Sequence, residues 1–266
     1  MTIVMVGGDF DLSVGSMASL TGIIGAVLMQ QGSPILVAIG VSILAGLAGG
    51  ILNGLLVAYA RLSAFVATLG TLTLFGGLAL LTSDGKTLFG RSIPEAVGNF
   101  GRGSLLLFED ISVPYLTLIA LVVLILVGIL LRQTIVGRQL HAVGGNQEAS
   151  RLAGIPVAKL RVMAFAINGI GAAVAGLMLV SRLSSANPTQ GEGLMLTTLA
   201  AVFVGGTSVF GGKGTIFGTF IGVLIIGSLE SGIVALGLSG FYVKFINGLM
   251  ITVAVTVYAL IQRRKN

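Results

Sequence analysis

Apolar residues run along this chain in blocks of the length, about 20 residues, that a helix needs to cross the hydrocarbon core of a bilayer, and polar residues collect between the blocks. Eight blocks qualify: 12–31, 35–59, 64–82, 113–131, 162–181, 194–210, 215–236 and 241–261. In lipid each is expected to be helical, because a helix satisfies its backbone polar groups within the segment. The pattern therefore predicts an all-α integral membrane protein, a polytopic helical bundle of about eight spans forming one domain over 1–266. Residues 1–6 are apolar and run into Gly7, Gly8 and Asp9 like the end of a helix, so the chain is expected to begin inside a span whose upstream part is missing. No basic stretch followed by a small-residue cleavage site marks a signal peptide.

Composition agrees. Hydrophobic residues make up 55% of 266 and charged residues 9%, against about 25% charged in soluble domains. Mean hydropathy is +1.06. The absence of cysteine excludes a disulfide framework, a thiolate metal site and a Cys nucleophile. A net charge of +6 would suit nucleic acid, but the basic residues lie at block ends and in one loop, which points to orientation in lipid.

That loop is 133–161. With Arg132 at its edge it carries Arg138, Arg151, Lys159 and Arg161 against one carboxylate, Glu148, and the positive-inside rule places it in the cytoplasm. Alternation then puts 83–112 and 182–193 outside, and Arg61, 211–214 and the C-terminal Arg263, Arg264 and Lys265 inside. Tyr59, Tyr115, Tyr242 and Tyr258 fall near block ends, at headgroup level. Within the loop, Asn146, Gln147 and Glu148 open a short run that winds one or two helical turns before Gly154 and Pro156 stop it. A short amphipathic helix on the cytoplasmic face is what a membrane subunit presents to a soluble partner.

Glycines inside the blocks, among them Gly46, Gly49, Gly50, Gly54, Gly169, Gly171, Gly176, Gly218, Gly222 and Gly227, are expected to let helices approach closely, since lipid offers no hydrophobic reason to associate. The two ends echo each other in Ser13-Val14 with Ser208-Val209 and in Asn53-Gly54 with Asn247-Gly248, as internal repeats of transporters do.

No catalytic, cofactor or metal constellation is present. Gly211-Gly212-Lys213-Gly214 resembles a phosphate loop but lacks the following Ser or Thr and the upstream glycine. His141 stands alone. The acid pairs Asp9 with Asp11 and Glu109 with Asp110 fall at turnarounds, where solvated loops are expected. Asn53, Thr68, Thr71, Asn168 and Asn247 lie inside apolar blocks and suit a pathway for an uncharged, hydrogen-bonding solute, with interhelical hydrogen bonding as the alternative. Glu230 and Lys244 stand in adjacent blocks within pairing reach. The alternative there is a proton-coupling carboxylate of a secondary transporter.

Four stretches, in order along nearly the whole chain, carry a resemblance: Gly8-Asp9-Phe10-Asp11-Leu12-Ser13-Val14-Gly15-Ser16, Gly144-Gly145-Asn146-Gln147-Glu148-Ala149-Ser150-Arg151-Leu152-Ala153-Gly154-Ile155, Arg182-Leu183-Ser184-Ser185-Ala186-Asn187-Pro188, and the run from Gly205 through Gly212-Lys213-Gly214-Thr215. Together they resemble ribose-type sugar ABC transporter permeases, in a superfamily shared with branched-chain amino-acid permeases. The resemblance implies the ABC importer permease fold, with about ten spans in the family, in the bacterial inner membrane. It implies a non-catalytic subunit for a small neutral sugar or sugar alcohol, with a same-fold permease for amino acids or another small solute as the alternative. It also implies a second permease copy or homologue, a periplasmic sugar-binding protein, and a cytoplasmic ATPase with two fused halves that binds the ATP and Mg. By the same similarity Gly145, Asn146, Glu148, Ala149, Arg151, Leu152, Gly154 and Ile155 form the coupling helix that enters the ATPase. Where the family carries a Glu-Leu-Asp pattern after the glycine at 193, this chain has Met195-Leu196-Thr197.

Overall fold

The computed structural model describes residues 1–108 and 111–263, and at 107, 108, 111, 247, 254, 255 and 257–263 the backbone alone. The helices are α1 (Thr2–Val6), α2 (Val14–Gln30), α3 (Ile35–Ala58), α4 (Ala64–Thr82), α5 (Glu95–Arg102), α6 (Tyr115–Gln133), α7 (Ile135–Gly145), α8 (Gln147–Leu152), α9 (Val157–Leu183), α10 (Leu194–Val204), α11 (Ile216–Ala235) and α12 (Gly240–Arg263). Among the described residues four short strands accompany them: β1 (Leu88–Phe89), β2 (Ser104–Phe108), β3 (Ile111–Pro114) and β4 (Ser185–Ala186). Antiparallel pairing joins β1 to β4 and β2 to β3.

Each apolar block holds a helix, but not each is a full span. Among the described residues five helices are long and apolar enough to cross a bilayer: α3, α4, α6, α9 and α11. The block 194–210 is corrected most. Its helix α10 stops at Val204 after 11 residues, a rise of about 16 Å against a core of about 30 Å. Glycine is the cause: Gly206 takes positive φ inside the block and turns the chain where the apolar composition read as continuing helix, and Gly211 and Gly212 take positive φ in the expected turnaround that follows. Leu36, Phe65, Leu81, Ile125, Leu126 and Phe217 are exposed large apolar side chains on α3, α4, α6 and α11, as a lipid environment requires.

The chain divides into two compact units, 1–10 with 127–161 and 193–266, and 11–126 with 162–192. In the second, α2 packs on α3 and α4 over a core of Met17, Leu20, Ile23, Phe75, Ile93 and Val180. One face of α3 is flattened by Gly46, Gly50 and Gly54, one per turn. A Cβ on Gly46 would strike the carbonyl of Gly169, one on Gly50 the carbonyl of Phe165, and one on Gly54 the backbone of Val162 at 2.6 Å. Backbone-to-backbone approach thus replaces side-chain interdigitation. Gly176 is held in the same way against the carbonyl of Ala18. Gly171 and Gly227, read with this group, face open space.

In the first unit α10 packs on α11 and α12, with Gly205 against Gly218 and Gly222 against Ala201. The Thr215 hydroxyl caps α11 by accepting from the Gly218 amide at 3.0 Å. The α1 helix packs on α7, and the hydroxyls of Thr2 and Thr219 meet at 2.8 Å.

Candidate coupling site and buried polar cluster

The basic loop is mostly helix. Thr134 caps α7 by accepting from the Gly137 amide at 3.2 Å, and α7 ends where Asn146 takes an extended conformation, φ −157° and ψ 102°. The Asn146 side chain then accepts from the Ala149 amide at 2.9 Å and starts α8. Gly154, at φ +79°, ends it in the left-handed conformation, and Pro156 precedes α9. A six-residue helix thus stands between a side-chain cap and a glycine stop. Glu148 and Arg151 are exposed and form a two-point pair on this helix, Nε to Oε2 at 3.2 Å and Nη2 to Oε1 at 2.6 Å. Arg151, through its hydrogen bonds and charge, holds the Glu148 carboxyl below the usual carboxylate range. Leu152 is 79% exposed. Gly145 and Ala149 are also exposed, and Ile155 is half-buried. A charged pair and an exposed leucine thus stand on one short helix.

His141 belongs to the α7 side of this site. Its Nδ1 lies 2.8 Å from the Gly137 carbonyl and its Nε2 3.2 Å from that of Gly214.

The aspartates read as solvated are buried, Asp9 at 5% exposure and Asp11 at 3%. Each has acquired donors, which is the condition for keeping a carboxylate out of water. In the first unit Arg161 reaches Asp9 with two nitrogens, Nε at 2.7 Å from Oδ2 and Nη2 on Oδ1. This residue, counted with the basic loop, is an ion-pair partner in the interior. In the second unit Asp11 Oδ1 accepts from the Ser13 amide at 2.9 Å, the Ser13 hydroxyl at 2.6 Å and Asn53 Nδ2 at 3.4 Å, while Oδ2 accepts from Asn168 Nδ2 at 2.7 Å. Asn53 Nδ2 also donates to Ser13 Oγ at 2.8 Å, and Thr71 donates to Asn53 Oδ1 at 2.7 Å. Five side chains form one network.

Of the polar residues picked from the blocks, Asn53 and Asn168 therefore converge on Asp11, and Thr71 joins them through Asn53. Thr68 is buried beside them but donates to its own helix, to the Ala64 carbonyl at 2.7 Å. The Asn247 side chain, like Glu109, Asp110, Arg264 and Lys265, lies outside the described residues. The Thr197 hydroxyl stands 3.4 Å from Glu230 Oε1. The ion pairs of the described residues are Lys86 with Asp84, Arg151 with Glu148 and Arg161 with Asp9, and the expected pair of Glu230 with Lys244 is not among them.

Residues 1–255 match the family of branched-chain amino acid transport system permease components. The chain belongs to this permease family. Similar proteins include the ribose import permease RbsC of Bacillus subtilis, 40% identical over 100% of this chain and 80% of the relative. The L-arabinose ABC transporter permease AraH of Azospirillum brasilense is 36% identical over 99% of this chain and 76% of its own. The D-allose transport system permease AlsC of Escherichia coli is 36% identical over 95% and 76%. No solved structure matches this permease.

The residue that sequence reasoning missed in the permease is Asp11. Two signals pointed to it: buried asparagines need partners, and Asp11 sits between Phe10 and Leu12 at the entrance to an apolar block.

Proposed function

We propose that this permease is the membrane-spanning subunit of an ATP-driven importer that carries a small neutral sugar or sugar alcohol across the bacterial inner membrane. The reading rests on α8, a capped and stopped six-residue helix that offers Arg151, Glu148 and Leu152 outward, in a chain whose relatives include a ribose import permease and transport permeases for arabinose and allose. The segment 133–161 is the cytoplasmic face of a single permease domain, and Gly145, Asn146, Glu148, Ala149, Arg151, Leu152, Gly154 and Ile155 are the contact for an ATPase with two fused halves, which binds the ATP and Mg. Eight apolar segments lie in the bilayer, with α10 entering part-way and the C-terminus on the cytoplasmic side. A periplasmic sugar-binding protein delivers the solute, and a second permease copy or homologue completes the channel. For ATP to drive the cycle, the ATPase must bind one arrangement of the permease more tightly than the other, because equal affinity shifts nothing.

Asn53, Thr68, Thr71, Asn168 and Asn247 are the proposed polar pathway. The four whose side chains are described are at most 4% exposed, so they meet solute only in an arrangement where the network around Asp11 has opened.

The test is uptake into proteoliposomes holding the permease with its ATPase and binding protein. Labelled ribose, arabinose or allose accumulates when ATP is present. Accumulation of leucine in place of every sugar overturns the substrate, and sugar accumulation driven by a pH gradient without ATP overturns the energy source.

A further inference from the structure

The glycine-rich run between α10 and α11 is part of the family resemblance. It is a built loop. The Ser208 amide donates to the Lys213 carbonyl at 2.8 Å and closes it, and the Phe210 amide donates to Ser208 Oγ at 3.1 Å. Gly206, Gly211 and Gly212 hold positive φ.

This loop is seated on the backbone at the foot of α8. The Gly212 amide donates to the Val6 carbonyl at 2.9 Å. A Cβ on Gly211 would come within 2.6 Å of the Gly8 Cα and 2.8 Å of the Gly144 carbonyl, and one on Gly212 within 2.8 Å of the Gly145 amide nitrogen. His141 Nε2, 3.2 Å from the Gly214 carbonyl, ties the loop to α7. Main chain lies on main chain with no side chain between, one residue before the Asn146 cap. The tip of the loop must therefore share the surface from which α8 emerges.

At that tip Phe210 is 64% exposed and Lys213 is exposed. A phenylalanine held outward by a closed loop, seated on the Gly144 and Gly145 backbone that leads into α8, extends the apolar part of one docking surface. We propose that the 210–213 tip is a second docking element for the ATPase, with Phe210 filling an apolar pocket and Lys213 facing a carboxylate on that partner. This deepens the proposed coupling role of α8 and rests on it.

The absence of cysteine makes the test direct, since Phe210→Cys and Leu152→Cys each carry the only thiol of the permease. Labelling by a hydrophilic maleimide is followed in proteoliposomes with and without the ATPase. Both thiols are expected to label readily alone and about tenfold or more slowly once the ATPase is bound, because an interface core excludes water. Protection at 152 with unchanged labelling at 210 overturns the second element and leaves α8 standing. Slow labelling at 210 without the ATPase places the ring in lipid and overturns it as well. Protection at neither position removes the α8 reading and this inference together.

Discussion

Asn168 donates to a carboxylate oxygen of Asp11 at 2.7 Å across 157 residues of sequence. Asp11 also accepts from the Ser13 amide and hydroxyl and from Asn53, so Asp11→Ala removes the acceptor that these buried donors share. A loss of about 2–4 kcal/mol follows from unpaired buried polar groups. The thermal midpoint of the detergent-purified permease is expected to fall, with a smaller drop for Asp11→Asn, which keeps the shape and loses the charge. An unchanged midpoint in Asp11→Ala would show that the network bears no structural load.

Arg161 and Asp9 form a pair whose side chains are 18% and 6% exposed. Removing one partner strands a charge in a poorly solvated site and costs about 3 kcal/mol, whereas removing both strands none. Arg161→Ala is therefore expected to unfold at lower temperature than the wild type, and the Asp9→Ala, Arg161→Ala double variant no lower than Arg161→Ala. Strictly additive losses in this cycle contradict the pairing.

Gly50 and Gly171 look alike in the sequence and differ in what surrounds them. A Cβ on Gly50 runs into the Phe165 carbonyl, and one on Gly171 meets nothing within 4 Å. Gly50→Ala should lower the thermal midpoint and the yield of folded protein. Gly171→Ala should be neutral or slightly stabilising, by under about 1 kcal/mol, since alanine is the better helix former. The reverse order would mean that α3 and α9 do not meet along this face.

Arg151 keeps Glu148 ionised to lower pH in the folded chain than in the unfolded one. What the pair contributes is present above the unfolded value and lost as pH falls through the folded one. Near neutrality it does not titrate. Between about pH 6 and pH 8 the pH profile of substrate-stimulated ATP hydrolysis should be the same in the wild type and in Glu148→Gln. A step in that range that disappears in Glu148→Gln contradicts the assignment.

The helices were legible because lipid imposes a blunt rule, about 20 apolar residues per crossing, and the start and stop of α8 were legible because Asn146 and Gly154 act locally. What escaped depended on distant partners. Asp9 and Asp11 read as loop acids until Arg161, 152 residues away, and Asn168 supply their donors. The end of α10 escaped for a related reason. Gly205 and Gly206 resemble the packing glycines of other blocks, and only the positive φ at 206 separates a turn from a helix contact. The α7 helix was hidden by a polar, glycine-containing stretch that gains its buried positions, Leu140 and Val143, by packing on α1.

The central claim is that α8 transmits the ATPase cycle to the membrane, and replacing Glu148, Arg151 and Leu152 together with alanine tests it most directly. All three side chains are exposed, so folding and thermal midpoint should hold while sugar-stimulated ATP hydrolysis and uptake fall about tenfold or more in the reconstituted transporter. Hydrolysis and uptake at wild-type rates in the triple variant would contradict the claim.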